Sequence, residues 1–273
     1  MKKLAIVFFY LGKVSYQNIT LALAKFKNEN ADVFLITDFV NEKYPPGIGI
    51  IDAKKYGATI GDFKRVYVHK TTCAYEFEFA SLCRWLIYFE WWKTNSQYDL
   101  FVADSDVMIC SDLSDIRKQW AGCAYTLSMR TAGGQSFWFD FNAMASYVDS
   151  IWGVYRHKNS SEAKSVFKHF ENLQSQAKPG GVCDMTFFAK HAAMSGFSIG
   201  ETTDIFEDAT FDHNILMPQG YKYVDGRKEI YWENGHPFCW RDDVKKWIKF
   251  HTLHMSCSGG WIEAFYPKAM EGI

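Results

Sequence analysis

The chain has 273 residues, with 30 Lys and Arg against 31 Asp and Glu, a formal charge of -1, and an 18% aromatic content from 10 Trp, 15 Tyr and 23 Phe. So even a balance supplies no counterion-release term that would hold a nucleic acid or an anionic membrane over the whole surface. The length suits one large domain or two small ones at roughly 150 residues each, and needs no disulfide to close a core. The seven Cys are scattered without a C-x-x-C pair, which reads as free thiols of a reducing compartment and argues against a zinc ribbon. The opening MKKLAIVFFYLGK has too short an apolar run, and no small-residue cleavage site, for a signal peptide. No stretch approaches the roughly 18 apolar residues of a membrane span, so a soluble cytoplasmic protein is the expectation.

An apolar run over residues 4–11, a helical pattern over 18–27 with Ile19, Leu23 and Phe26 on one face, and a second apolar run over 31–37 predict a β-α-β unit. Its unbroken apolar strands are those of a buried parallel sheet. Residues 39–63, with Pro45, Pro46 and several Gly, read as mostly loop, and residues 65–69 as a short third strand. Residues 75–93 contain no Pro or Gly and are apolar almost all round, which describes a buried helix. Residues 100–109, LFVADSDVMI, read as a strand interrupted by acids at its C-terminal end.

Beyond Ser111 the pattern predicts a short helix over 113–119, a strand over 124–128 and a loop at Gly133-Gly134. A helix then starts where the Ser161 hydroxyl can cap it and stops before Pro179-Gly180-Gly181; residues 185–194 form another. Asp225-Gly226 between YKYV and RKEIYW is a hairpin-turn signal. With no repeat and no low-complexity tract, residues 1–273 read as one α/β domain with a small C-terminal elaboration that includes a β-hairpin.

Asp104 and Asp106, in V-A-D-S-D-V, carry the sharpest chemical signal. Carboxylates at the mouth of an apolar strand are costly unless their charge is compensated. Side chains two apart share one face of a strand, so both can reach one hard cation, and ligands of α/β sheets sit at the carboxyl ends of strands. Oxygen donors suit Mg²⁺ or Mn²⁺ with substrate phosphates completing the shell. The plainer alternative is a turn that caps the next helix, but the flanking LFVA and VMI mark an inner strand, where unpaired acids are hardest to tolerate.

Arg84 is the one cation of its helix before Lys93, and a buried guanidinium needs an anion. Glu78 and Glu90 each lie six positions away, off the i,i+3 and i,i+4 spacings, so the partner lies outside the helix: Asp104 or a bound diphosphate. Near the C-terminus, His251 and His254 face opposite ways if the segment is extended, so only one of them can be a third metal ligand.

The string FASLCRWLIYFEWW...YDLFVADSDVMICSDLSDI resembles the central segment of GT-A-fold glycosyltransferases of the D-x-D type, particularly the retaining enzymes of glycosyltransferase family 8. In that family a Ser-x-x-Arg helix, here Ser81 and Arg84, precedes the D-x-D strand, and an Asp-Leu-x-x-Ile helix start, here Asp112 to Ile116, follows it. YLGKVSYQN, the ITD ending at Asp38 and the closing LHMSCSGGW extend the likeness to about residues 4–260.

The resemblance implies a Rossmann-like, mostly parallel sheet flanked by helices, with residues 1–125 as the nucleotide-sugar half and 126–273 as the acceptor half and closing segment. It implies that Asp104, Asp106 and His254 hold Mn²⁺ or Mg²⁺ against the diphosphate of a nucleotide sugar, a UDP-sugar by family habit. Arg84 would face the donor, Tyr10, Tyr16 and Asp38 would frame the base, Ser105 would lie by the ribose, and Asp184 would contact the donor sugar. The reaction would be sugar transfer to a glycan or other hydroxyl with retention, the leaving phosphate helping to deprotonate the acceptor. Two departures stand out: Cys183-Asp184-Met185 replaces the usual Asp-Gln, and Cys257 stands where Gly is usual.

Two other readings compete. In a haloacid-dehalogenase-like phosphatase, Asp104 would be the nucleophile and Asp106 the acid, with Asp242-Asp243 as a downstream metal motif, although that fold opens with this strand. A non-catalytic carbohydrate- or nucleotide-binding relative would grip sugar with aromatics alone. The aromatics divide accordingly: Phe77, Phe79, Trp85, Phe89, Trp91 and Trp92 belong to packing. Phe137, Trp138, Phe139, Phe141, Trp232, Phe238, Trp240 and Trp261 are expected to surround the acceptor.

Overall fold

The computed structural model describes residues 2–256 and 259–271, so Cys257, one of the two departures above, lies outside the described residues. The first half runs β1 (Lys3–Phe9), α1 (Gln17–Lys27), β2 (Asp32–Thr37), β3 (Ile48–Asp52), α2 (Gly57–Val66), α3 (Tyr75–Lys93), β4 (Tyr98–Asp104) and β5 (Val107–Ile109). After α4 (Leu113–Ile116) come β6 (Tyr125–Leu127), β7 (Gln135–Trp138), α5 (Phe141–Arg156), α6 (Ser161–Ser175), α7 (Asp184–Met194) and β8 (Ile199–Glu201). The remainder is β9 (Ala209–Thr210), β10 (Tyr223–Val224), β11 (Arg227–Lys228), β12 (Tyr231–Glu233), β13 (His236–Arg241), β14 (Lys246–Phe250), β15 (Thr252–His254) and α8 (Gly259–Ala269).

The fold is α/β, as expected. Its central sheet has seven strands in the order β3-β2-β1-β4-β7-β6-β8. All pairings are parallel except the two made by β7, which is antiparallel to β4 and to β6. β1 and β4 sit side by side inside this sheet, and residues 4–8 and 100–103 are at most 1% exposed, as unbroken apolar strands require. Helix α3 covers one face, with Leu82, Trp85, Tyr88 and Trp92 at most 1% exposed. Helix α1 covers the other, packing its Leu21 and Ala24 beneath β1 and β2. The hairpin at Asp225-Gly226 forms between β10 and β11, and both turn residues have positive φ, as a two-residue turn of that type requires.

Several expectations need correction. The cap of α6 is Ser160, whose hydroxyl accepts from the Ala163 N–H at 3.1 Å, and not Ser161. Phe77, assigned to packing, is 60% exposed in the first turn of α3. The third strand is β3, not residues 65–69, which begin inside α2. Gly49 fits the strand because the Phe34 ring lies 2.5 Å from where its Cβ would stand. In α2, Ile60, Phe63 and Val66 recur at helical spacing, Phe63 is fully buried, and Gly57 and Gly61 meet nothing, so the glycines weaken the helix without ending it. A sixteen-residue helix, α5, fills the stretch before Ser161 for which no element was expected; the Asp140 side chain caps it by accepting from the N–H groups of Asn142 and Ala143. Phe137 and Trp138 are fully buried on β7 and cannot line an acceptor site: Trp138 stacks on Tyr125 at 4.5 Å and packs against Trp85 and Tyr147.

Trp138→Ala is therefore expected to cost about 3–5 kcal/mol of stability in urea unfolding. A cost below about 1 kcal/mol would place the ring outside the core.

Candidate metal and diphosphate site

Strand β4 ends at Asp104, residues 105 and 106 turn, and β5 starts at Val107. The two acids therefore converge across a turn and not along one face of a continuous strand, which corrects the strand geometry argued from spacing. Two hydrogen bonds hold the turn in place. Thr20 Oγ1 on α1 donates to the Ser105 carbonyl at 3.0 Å, and the Asp104 N–H donates to the Gly134 carbonyl at 2.7 Å. A Cβ on Gly134 would stand 2.2 Å from Asp104 Oδ2, so only glycine leaves room for this carboxylate beside β7.

The C-terminal segment supplies the third group. β15 pairs antiparallel with β5, placing His254 opposite Val107, and the Met255 N–H donates to the Asp106 carbonyl at 3.0 Å. His254 Nε2 then lies 3.5 Å from Asp106 Oδ1. One donor atom from each of Asp104, Asp106 and His254 falls within 4.8 Å of the other two. Nδ1 of His254 is 2.8 Å from the His213 carbonyl, which makes it the donating nitrogen and leaves Nε2 to face the carboxylates. His251 points elsewhere, with Nδ1 3.2 Å from Ser111 Oγ. Two carboxylates and one imidazole nitrogen converging in this way could hold a divalent cation.

Behind the carboxylates lies Arg84. Its guanidinium pairs with Asp104 through Nη1 and with Asp184 through Nη2, so it bridges the D-x-D turn to the start of α7. Asp184 Oδ2 also accepts from Trp85 Nε1 at 3.1 Å, and its Oδ1 from the Met185 N–H at 2.8 Å. Burial pushes the Asp104 carboxyl upward, Arg84 pulls it down, and Asp106 pushes it up again. Burial alone would lower His254, but its hydrogen bond to Asp106 and the charges of Asp106 and Asp104 raise it to about 9.

The remaining candidates frame the β1–α1 side. Asp38 Oδ1 accepts from the Gly12 N–H at 2.8 Å and so ties the loop that carries Tyr10 to the end of β2. Tyr16 is 6% exposed, and a Cβ on Gly259 would stand 2.7 Å from its ring, so the start of α8 closes over it. Ser105 is 8% exposed within the turn. Beside this loop is a cleft of about 220 Å³ lined by Gly12, Lys13, Ser15, Gln17, Asn18 and Tyr44 among others. Gln17 is 5% exposed and its Nε2 has no hydrogen-bond partner.

Glu78, weighed from the sequence only as a partner for Arg84, is 2% exposed with Oε1 unpartnered. Burial raises it to about 7, Asp184 adding to the shift and Arg84 opposing it. Its signal was the lack of any cation at i±3 or i±4 on an apolar helix. Gly134 announced itself only as a loop glycine.

No family model and no curated protein matches the chain. Among solved structures it is similar to the galactosyltransferase LgtC, solved with donor and acceptor sugar analogues, over 97% of this chain and 95% of that one, at 9% identity and a TM-score of 0.47. Mouse xyloside xylosyltransferase 1 in its apo form aligns over 70% of this chain and 82% of its own, at 10% identity and a TM-score of 0.41. The glycosyltransferase GlyE of Streptococcus pneumoniae TIGR4 aligns over 76% and 45%, at 12% identity and a TM-score of 0.36. At scores this low none of the alignments bears on individual residues, and the chemistry rests on the geometry described above.

Without a divalent ion, protonated His254 is held by the carboxylates, so its contribution to stability is complete below its ordinary 6.5 and is lost as pH rises through about 9. Urea unfolding of metal-free protein is expected to show this decline across that window, and His254→Phe should lack it. The same slope in both proteins would contradict the pairing.

Proposed function

We propose that this protein is a metal-dependent glycosyltransferase that moves a sugar from a nucleotide-diphosphate sugar, of UDP type, to a hydroxyl of a glycan or other acceptor with retention. The observation that carries the reading is the convergence of Asp104, Asp106 and His254 at the carboxyl end of an inner parallel strand. A divalent ion bound there would supply Lewis-acid stabilisation of the charge that develops on a leaving diphosphate.

The chain's own groups do the rest. Arg84 holds Asp104 and Asp184 in one fixed arrangement, so the carboxylate that holds the metal and the one proposed to meet the donor sugar keep their spacing. The loop of Tyr10 and Tyr16, tied down by Asp38, would hold the base beside Gln17, with Ser105 toward the ribose. Retention follows if the acceptor hydroxyl attacks from the leaving group's face and passes its proton to the departing phosphate. In this scheme residues 1–125 bind the donor, and 126–273 bind the acceptor and close the site. Among the described residues no helix is long and apolar enough to cross a membrane, and a cytoplasmic location belongs to the same proposal.

The phosphatase reading needs Asp242 and Asp243 in the metal centre. They lie instead on the exposed β13–β14 turn, where Asp243 is bound to Arg241, and neither belongs to the metal-capable group.

A panel of nucleotide sugars incubated with Mn²⁺ is expected to reveal slow hydrolysis of one donor. Asp104→Asn and Asp106→Asn should each lower that rate by about two orders of magnitude or more while the protein stays folded by circular dichroism. An unchanged rate in either variant removes that residue from the mechanism.

A further inference from the structure

The metal-facing imidazole is gripped from one segment. The His254 N–H donates to Asp212 Oδ2 at 3.1 Å, its carbonyl accepts from the Ile215 N–H at 3.0 Å, and its Nδ1 donates to the His213 carbonyl at 2.8 Å. Three contacts from residues 212–215 therefore set where His254 Nε2 points. That segment is irregular, since β9 ends at Thr210, and backbone ladders alone do not hold it.

What anchors it is an ammonium group. Lys228 on β11 is 0% exposed, and its Nζ donates to Asp212 Oδ1 at 2.5 Å, to the Asn214 carbonyl at 3.0 Å and to Gln219 Oε1 at 2.7 Å. All three N–H bonds are used, so Lys228 has no donor left for a ligand. The Tyr221 and Phe250 rings close over it at 5.3 and 5.8 Å. Asp212 is 1% exposed, and its own carbonyl accepts from the Gln135 side chain, whose oxygen accepts from Thr252 Oγ1 on β15.

A buried Lys–Asp pair is a poor source of net stability, because desolvation offsets the attraction and apolar or neutral replacements of like shape are often tolerated. Its position offers another reason for its presence. We propose that Lys228 and Asp212 are positioning residues for the metal centre: the ammonium fixes the 212–215 segment, and the segment aims His254 at the ion. The inference rests on the metal-binding reading above, and extends it to residues that touch neither ion nor substrate.

The test is calorimetric titration with MnCl₂ alone, beside a melting curve, on wild type, His254→Ala and the double variant Asp212→Asn/Lys228→Met. The double variant is used because either single change leaves a buried charge unpaired and could unfold the chain. Expected is a double variant that melts near wild type yet binds Mn²⁺ about ten- to a hundredfold more weakly, approaching His254→Ala. Wild-type affinity in a folded double variant would overturn the proposal, leaving the pair as a plain core ion pair. So would a double variant that cannot fold, since the pair would then serve the fold itself. A wild type that fails to bind Mn²⁺ would sink the metal-binding reading and this inference with it, an outcome told apart because it needs no variant.

Discussion

Three carboxylates gathered at the end of one inner strand are the constraint on which the rest of this molecule depends. Asp106 and Asp184 are 4% and 6% exposed and Asp104 is only partly open, and like charges so placed repel in a medium that screens them poorly. Arg84 compensates two of them and His254 the third. Each compensating group has to be delivered from a distant part of the chain. The long buried helix α3 places Arg84 against β4, α7 brings Asp184 to the far side of the guanidinium, and the C-terminal ribbon lays His254 beside the turn.

That arrangement accounts for features that otherwise look arbitrary. β7 runs against its neighbours, and its approach through Gly134 leaves space for the Asp104 carboxylate. α1 is clipped to the acidic turn by Thr20 and meets α8 through Tyr16, so the acidic turn and the C-terminal helix share one support. The pairing of β5 with β15 joins positions about 150 residues apart, a contact whose loop-closure entropy has to be offset by the surrounding packing. Met108, Cys110, Leu253 and Met255, each 0% exposed in one apolar cluster, provide it.

Local chemistry made much of this readable beforehand. β1, β2 and α3 are unbroken apolar segments and α1 a periodic one, and the acids of the D-x-D turn stand out against an apolar strand. Arg84 could be assigned an external partner because no acid lies at helical spacing from it. What stayed hidden depends on contacts across the fold. Gly49 and Gly57 look alike in sequence, and only the ring of Phe34 over one and open space beside the other make the first a strand residue and the second a helix residue. Trp138 and Trp247 are equally aromatic, yet one is fully buried and the other 47% exposed. Lys228 and Asp212 sit sixteen positions apart with no shared motif, and their pairing follows from the course of β11 and the segment after β9.

The central claim is that these acids exist to hold a divalent ion against a nucleoside diphosphate. Calorimetric titration of UDP, with Mn²⁺ present and then with EDTA in its place, tests it most directly. The account predicts that UDP binds measurably tighter with the ion, and that the difference vanishes in Asp106→Asn. Equal affinity under both conditions in the wild-type protein would contradict it.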